Sequence, residues 1–158
     1  MTKRGSRHHS LGQREFIDTL VRLSEPADTS FFSRIRGLRS RAPRQRISTG
    51  RLAVIIPAHN EARSIGQTIT SLRQQSLLPD EILVVCDNCT DNTAGIAARL
   101  GVRVIATTGN QDKKAGALNQ ALSQVLPTLG PDDFVLTMDA DSALSPDWLA
   151  TEIGRAHV

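Results

Sequence analysis

The chain has 158 residues, 39% of them hydrophobic and 22% charged, which is enough for one domain around an apolar core. Aromatic residues make up only 3%, with no Tyr and one Trp, so aliphatic side chains must fill that core. No apolar run approaches the roughly 18 residues of a membrane span, and no apolar stretch follows the basic N-terminus as a signal peptide requires.

The formal charge of +3 is unevenly spread. Residues 1–50 hold 11 Lys/Arg against 4 Asp/Glu, a balance of +7, while the remainder holds 8 against 12, a balance of −4. The leader is expected to be basic, solvated and partly helical or disordered. An anionic membrane surface is the partner its charge would suit; nucleic acid is not expected as a partner.

Glu15 to Leu23 sets Phe16, Leu20 and Leu23 on one helical face, which predicts a short amphipathic helix. Arg34 to Arg46 follows as a basic linker punctuated by Gly and Pro. Leu52 to Ile56 is a continuous apolar run ending at Pro57, which predicts a strand buried on both faces. Ser64 to Gln74, with Ile65, Ile69 and Leu72 in one stripe, predicts a helix. Glu81 to Cys86 is a second strand. Thr90 or Asp91 can cap a helix that runs through Ile96, Ala97 and Leu100 and closes at Gly101. Val102 to Ala106 is a third strand, Ala115 to Leu126 a helix and Phe134 to Met138 a fourth strand; Ser145-Pro146-Asp147 opens another helix. This alternation predicts an α/β, Rossmann-like fold with a mainly parallel sheet and helices on both faces.

Such sheets bind ligands beyond the carboxyl ends of their strands. The first strand ends in Pro57-Ala58-His59-Asn60-Glu61, the second in Asp87-Asn88-Cys89-Thr90-Asp91 and the fourth in Asp139-Ala140-Asp141. Four carboxylates, Glu61, Asp87, Asp139 and Asp141, would face one crevice. Asp139 and Asp141 offer two hard oxygen ligands for Mg²⁺ or Mn²⁺, which bind through one or two carboxylates plus phosphate oxygens; the same pair could instead cap the next turn. Lys113 and Lys114 stand before a helix, where a Lys could reach a phosphate aided by the helix N-terminus, or both could be solvated. His59 has no evident partner. Cys86 and Cys89 form a C-x-x-C without companion ligands for zinc, so two reduced thiols are expected, with a thioredoxin-like pair as the alternative. A haloacid-dehalogenase-type phosphatase carries its Asp-x-Asp after the first core strand and not the fourth, and no G-x-G-x-x-G is present for a nicotinamide dehydrogenase.

In order, VIIPAHNEARSI, LLPDEILVVCDNCTDNT, KKAGALNQAL and VLTMDADSALSPDWL resemble the donor half of family 2 glycosyltransferases with the GT-A fold, over about Leu52 to Leu149. The resemblance implies a UDP-type nucleotide-sugar donor, a carbohydrate acceptor and a divalent cation, Mg²⁺ or Mn²⁺. It places Pro57, Asn60, Glu61, Asp87, Lys114 and Asp139 in the donor site. Glu61 and Asp87 would meet base and ribose, Asp139 the ribose or diphosphate, and Lys114 the nucleotide. Asp141, with Asp139, would ligate the cation. KAGALN and DNCTDNT are most similar to bacterial membrane polysaccharide synthases of the cellulose, chitin or poly-N-acetylglucosamine kind. That implies a full-length protein on the cytoplasmic face of a membrane, with the basic leader along it.

In that family the acceptor half, with the base for the acceptor hydroxyl, follows the Asp-x-Asp. The base is therefore expected beyond these residues, as are the Q-x-x-R-W motif and transmembrane helices of processive members. The fragment alone is expected to be inactive or confined to binding. Residues 152–158, Glu-Ile-Gly-Arg-Ala-His-Val, are what GAGATCGGAAGAGCACACGTC encodes, a string containing the start of a common short-read sequencing adapter. On this reading 1–50 is the leader, 51–151 a GT-A half-domain incomplete at its C-terminus, and 152–158 a tail of which at least Ile153 to Val158 are not native.

Overall fold

The computed structural model describes residues 19–22 and 50–156. In chain order they form β1 (Thr19–Arg22), β2 (Leu52–Ala58), α1 (Ile65–Arg73), β3 (Glu81–Cys86), α2 (Thr93–Arg99) and β4 (Arg103–Ala106). Then come α3 (Lys113–Val125), a 3₁₀ turn (Leu126–Thr128), β5 (Phe134–Thr137) and α4 (Trp148–Ala156). The strands lie in one sheet in the order β1-β5-β2-β3-β4. β2 pairs in parallel with β3, from Ala53↔Glu81 to Ala58↔Cys86, and with β5, from Leu52↔Phe134 to Ile55↔Thr137; β4 continues in parallel on β3.

The order of the strands dictates where the helices go. From β2 the chain steps outward to β3 and β4, then returns past β2 to β5. Crossovers of one hand leave α1 and α2 on one face and turn α3 to the other. All seven residues of β2 are buried, and their alternation serves two cores. Leu52, Val54, Ile56 and Ala58 pack with Ile65, Ile69 and Leu72 of α1 and with Leu149 and Ile153 of α4. Ala53 and Ile55 face Ala117, Ala121 and Val125 of α3; two alanines four residues apart let that helix lie close to the sheet.

Two carboxylates clip the entry ends of the strands. Asp133 accepts the Arg51 N–H on Oδ1 at 2.6 Å and the Gly130 N–H on Oδ2 at 2.8 Å. Asp80 accepts the Leu52 N–H at 2.9 Å, while its own N–H returns to the Leu52 carbonyl at 2.9 Å. These bonds set the register of β2 against β3 and β5 before the apolar run begins.

The four parallel strands and their helices agree with the sequence reading, with shifted ends. β2 runs on to Ala58, β5 stops at Thr137, α3 starts at Lys113 and α4 at Trp148. The cap of α2 also differs. Asn92 holds that position, and Asp91, one residue earlier, accepts the Thr93 N–H at 3.0 Å. The larger correction concerns Glu15 to Leu23, expected as a helix. Its described part, Thr19–Arg22, is a strand antiparallel to β5, from Thr19↔Thr137 to Arg22↔Phe134. Without it one edge of β5 would lack a backbone partner, and filling that edge outweighs a helical periodicity carried by three residues. Phe16, Leu23 and the basic linker lie outside the described residues. Among those described, no helix is long and apolar enough to cross a membrane.

Replacing Asp133 by Ala leaves the Arg51 and Gly130 N–H groups without their acceptor, at a cost of about 1–3 kcal/mol. Urea unfolding should show a lower midpoint at unchanged slope; a midpoint equal to the parent's would remove the clip from the account of register.

Candidate functional site

A cleft of about 550 Å³ opens at the carboxyl ends of the strands, lined by Pro57, His59, Asp87, Asn110, Lys113 and Lys114 among others. Its centre is Asp87, 7% exposed and one residue past β3. Three side chains donate to its Oδ1: the Asn110 amide at 2.7 Å, the Thr107 hydroxyl at 2.8 Å and the Asn88 amide at 3.1 Å. Among the described residues Oδ2 accepts no hydrogen bond. One oxygen is saturated by the protein, and the carboxylate is thereby locked with the other oxygen open to a donor.

Asn110 is held just as closely. Its amide also donates to the Lys113 carbonyl at 2.7 Å, and its Oδ1 accepts the Asp112 N–H at 3.1 Å. Gly116 in α3 makes room for it: a Cβ there would lie 1.8 Å from Asn110 Oδ1. His59 has a partner the sequence did not reveal, with Nδ1 2.6 Å from the Asp87 carbonyl. A carbonyl can only accept, so Nδ1 carries a proton and donates it to the Asp87 carbonyl.

The loop after β2 is tied to the loop after β3. Asn60 Oδ1 accepts the N–H groups of Thr90 at 2.7 Å and Asp91 at 3.2 Å, and Asp91 Oδ2 accepts the Ala62 N–H at 2.9 Å. The Thr93 hydroxyl, first among these contacts, holds the Asp91 carboxyl below the ordinary carboxylate range. The Glu61 carboxylate accepts from the Ser64 hydroxyl at 2.5 Å. Asn60, Asn88 and Lys113 have positive φ, at 58°, 49° and 50°. Asn tolerates that region more readily than Lys, and Asn88 and Lys113 both line the cleft.

Of the residues singled out in the sequence, Pro57, Asp87 and Lys114 line the cleft. Asp139 joins them through an ion pair, Lys114 Nζ to Oδ1 at 2.6 Å. Asp141 is exposed, and its carboxylate engages no donor among the described residues. Asn60 and Glu61 stand on the adjoining loop, where their side chains serve local bonds. No group of three or more His, Cys, Asp or Glu is placed to hold a metal among the described residues. The Asp-x-Asp can therefore supply a cation with two carboxylates only, the remaining oxygens coming from a ligand. Thr107 and Asn110 carried no sequence signal, because their part follows from the β4–α3 loop folding back over Asp87.

Residues 53–157 match the family model described as glycosyl transferase family 2. The chain is 38% identical over 63 residues to a 4,4'-diaponeurosporenoate glycosyltransferase of Staphylococcus aureus, covering 40% of this chain and 16% of that protein. Among solved structures it resembles residues 1–349 of S. aureus TarS in complex with UDP, at 26% identity and a TM-score of 0.55, over 65% of this chain and 31% of that one. It also resembles glucosyl-3-phosphoglycerate synthase from Mycobacterium tuberculosis in complex with UDP, at 26% identity and a TM-score of 0.51, over 65% and 38%. The chain thus spans less than two fifths of the length of each.

Cys86 and Cys89 are both free thiols. Burial, then the neighbouring Cys89 and its hydrogen bond, push Cys86 up to about 12. A redox-active C-x-x-C needs the opposite shift, since the thiolate is the nucleophile. Folded Cys86 keeps its proton up to about pH 12, whereas an ordinary cysteine releases it near 9.0. Its contribution to stability is complete below pH 9.0 and is lost as pH rises towards 12. Cys86→Ala should flatten the decline of melting temperature across that window, and iodoacetamide at pH 8 should label Cys89 before Cys86. Faster labelling of Cys86 would reinstate the redox pair.

Proposed function

The chain belongs to glycosyl transferase family 2, and from that premise we propose that its cleft binds the nucleoside diphosphate of a UDP-type sugar donor. Residues 51–151 would then be the donor-binding part of an enzyme that transfers the sugar to a carbohydrate acceptor. The observation that carries this reading is Asp87. A buried carboxylate with Oδ1 saturated by three donors and Oδ2 open calls for an N–H from the ligand. Uracil offers a ring N–H at that edge; cytosine offers an acceptor and would set lone pair against lone pair. The two similar structures with bound UDP support the same choice.

The other roles follow from position. Pro57 and the loop of Asn60 and Glu61 border the nucleoside, and Lys114 neutralises the diphosphate from the start of α3. Asp139 and Asp141 would hold Mg²⁺ or Mn²⁺ together with diphosphate oxygens. The open carboxylate of Asp141 suits that task, and Lys114 shields Asp139 until phosphate arrives. The cation, when bound, offsets the negative charge that develops on the departing diphosphate. The finer reading is a polysaccharide synthase at the cytoplasmic membrane face, supported by KAGALN, DNCTDNT and the +7 balance of residues 1–50. In either case this chain's share is to hold the donor, and the acceptor base is assigned to none of its residues.

Calorimetric titration tests the assignment directly. In Mn²⁺, UDP should bind at least about tenfold more tightly than CDP, the worth of one buried hydrogen bond made or opposed. Asp87→Asn should erase that preference, and Asp141→Ala should remove the gain that Mn²⁺ confers. Equal affinity for UDP and CDP would overturn the uracil reading; an Asp141→Ala protein equal to the parent would overturn the metal assignment.

A second test uses α3. Gly116→Ala places a Cβ where Asn110 Oδ1 now sits, so the amide must turn away and release Asp87. UDP affinity should fall by about tenfold with little change in melting temperature. Unchanged affinity would show that Asn110 does not hold Asp87 for the nucleotide.

A further inference from the structure

Helix α1 buries a polar stripe as well as an apolar one. Thr68 and Ser71 on one side of the helix, and Gln75 just past its end, are 1%, 8% and 2% exposed. Their hydrogen bonds go to the segment after β5. The Thr68 hydroxyl donates to the Ala140 carbonyl at 2.7 Å. The Ser71 hydroxyl accepts the Leu144 N–H at 3.2 Å. Gln75 donates to the Ser145 carbonyl at 2.7 Å and accepts the Leu149 N–H at 3.0 Å. Just past the helix, the Ser76 N–H reaches the Pro146 carbonyl at 2.7 Å.

Leu or Val at these sites would bury apolar area, whereas a buried hydroxyl or amide is tolerated only with partners in place. What the polar stripe adds is a fixed path for the backbone that leads from β5 into the first turn of α4. Five bonds hold residues 140–149, and the first of them grips the Ala140 carbonyl, in the peptide that leads into Asp141. Asp139, Ala140 and Asp141 lie in a turn that the Ser142 N–H closes on the Asp139 carbonyl at 3.2 Å, and in such a turn the orientation of the Ala140 peptide sets the directions in which the flanking side chains leave the chain. We infer that Thr68, braced by Ser71 and Gln75, is the positioning residue that aims the Asp139/Asp141 pair, so that α1 governs cation affinity without touching cation or nucleotide.

This inference rests on the metal reading above, and the test separates the two. Thr68→Val keeps the shape and deletes only the hydroxyl; Thr68→Ser keeps the hydroxyl. The quantity measured is the ratio of UDP dissociation constants in EDTA and in Mn²⁺. Supports of this kind are worth about 10- to 100-fold in metal affinity, so Thr68→Val should lower the Mn²⁺-dependent gain by at least about tenfold while affinity in EDTA stays within about twofold. Thr68→Ser should restore the gain, and a merely structural role would lower melting temperature without changing the ratio.

Should Thr68→Val lose its cooperative melt, Ser71→Ala, which frees the Leu144 N–H and removes the hydroxyl donated to the Thr68 carbonyl, should lower the gain in the same direction. A folded Thr68→Val protein with the parental ratio overturns the inference and leaves the donor site standing. A parent protein that gains nothing from Mn²⁺ overturns the metal reading and this inference together.

Discussion

β2 has a hydrogen-bonded neighbour on each edge and an apolar core on each face, and the rest of the molecule is arranged around that confinement. All seven residues of the strand are buried, so polar chemistry is pushed to the turn that begins at His59. The neighbouring strands end nearly level with it. Cys86 lies opposite Ala58 and Thr137 opposite Ile55, and single bonds carry the ladder a step further, from the Asp87 N–H to Ala58 and the Met138 N–H to Ile55. Asp87 and Asp139 therefore arrive at the same edge because their strands are in register with β2.

At that edge, precision comes from hydrogen bonds and not from packing. Asp87 is buried in a cluster of amides and a hydroxyl that leaves it one usable oxygen. Such networks are costly when incomplete and rigid when complete, which suits a group that must discriminate by a single N–H. The acidic pair after β5 is treated differently. Its side chains are partly or fully exposed, and rigidity is supplied beneath them through the backbone, by α1. Asp87 is fixed by contacts to its own oxygen, whereas Asp139 meets Lys114 and the Ala140 carbonyl beyond it meets Thr68.

The features legible in the sequence were those carried by contiguous pattern. The run Leu52 to Ile56, the EILVVC strand and the apolar stripe of α1 each announced an element, and the strand-end rule then gathered Pro57, Asp87 and the Asp-x-Asp at one edge. What stayed hidden depends on contacts between distant segments. Nothing near Asn110 signals that it bonds Asp87, 23 residues away, and the glycine in KKAG shows its reason only once Asn110 lies against it. The resemblance places Asn60 in the donor site, and its side chain ties two loops together. The apolar stripe of α1 does not single out Thr68 or Ser71, because periodicity cannot distinguish a polar stripe facing water from one facing backbone. Thr19–Arg22 misled for a related reason: three apolar residues at helical spacing say nothing of an open edge more than a hundred residues later.

That edge bears on how the protein can be handled. β1 is separated from β2 by 29 residues, and among the described residues it alone pairs with the outer side of β5. A version trimmed to the family-matching residues 53–157 would look complete by similarity. It would nonetheless display unpaired N–H and C=O groups from Phe134 to Thr137 along a flat, apolar strand, the kind of edge that recruits a strand from another molecule. Solubility during purification would then report on the missing leader before it reported on the quality of the core.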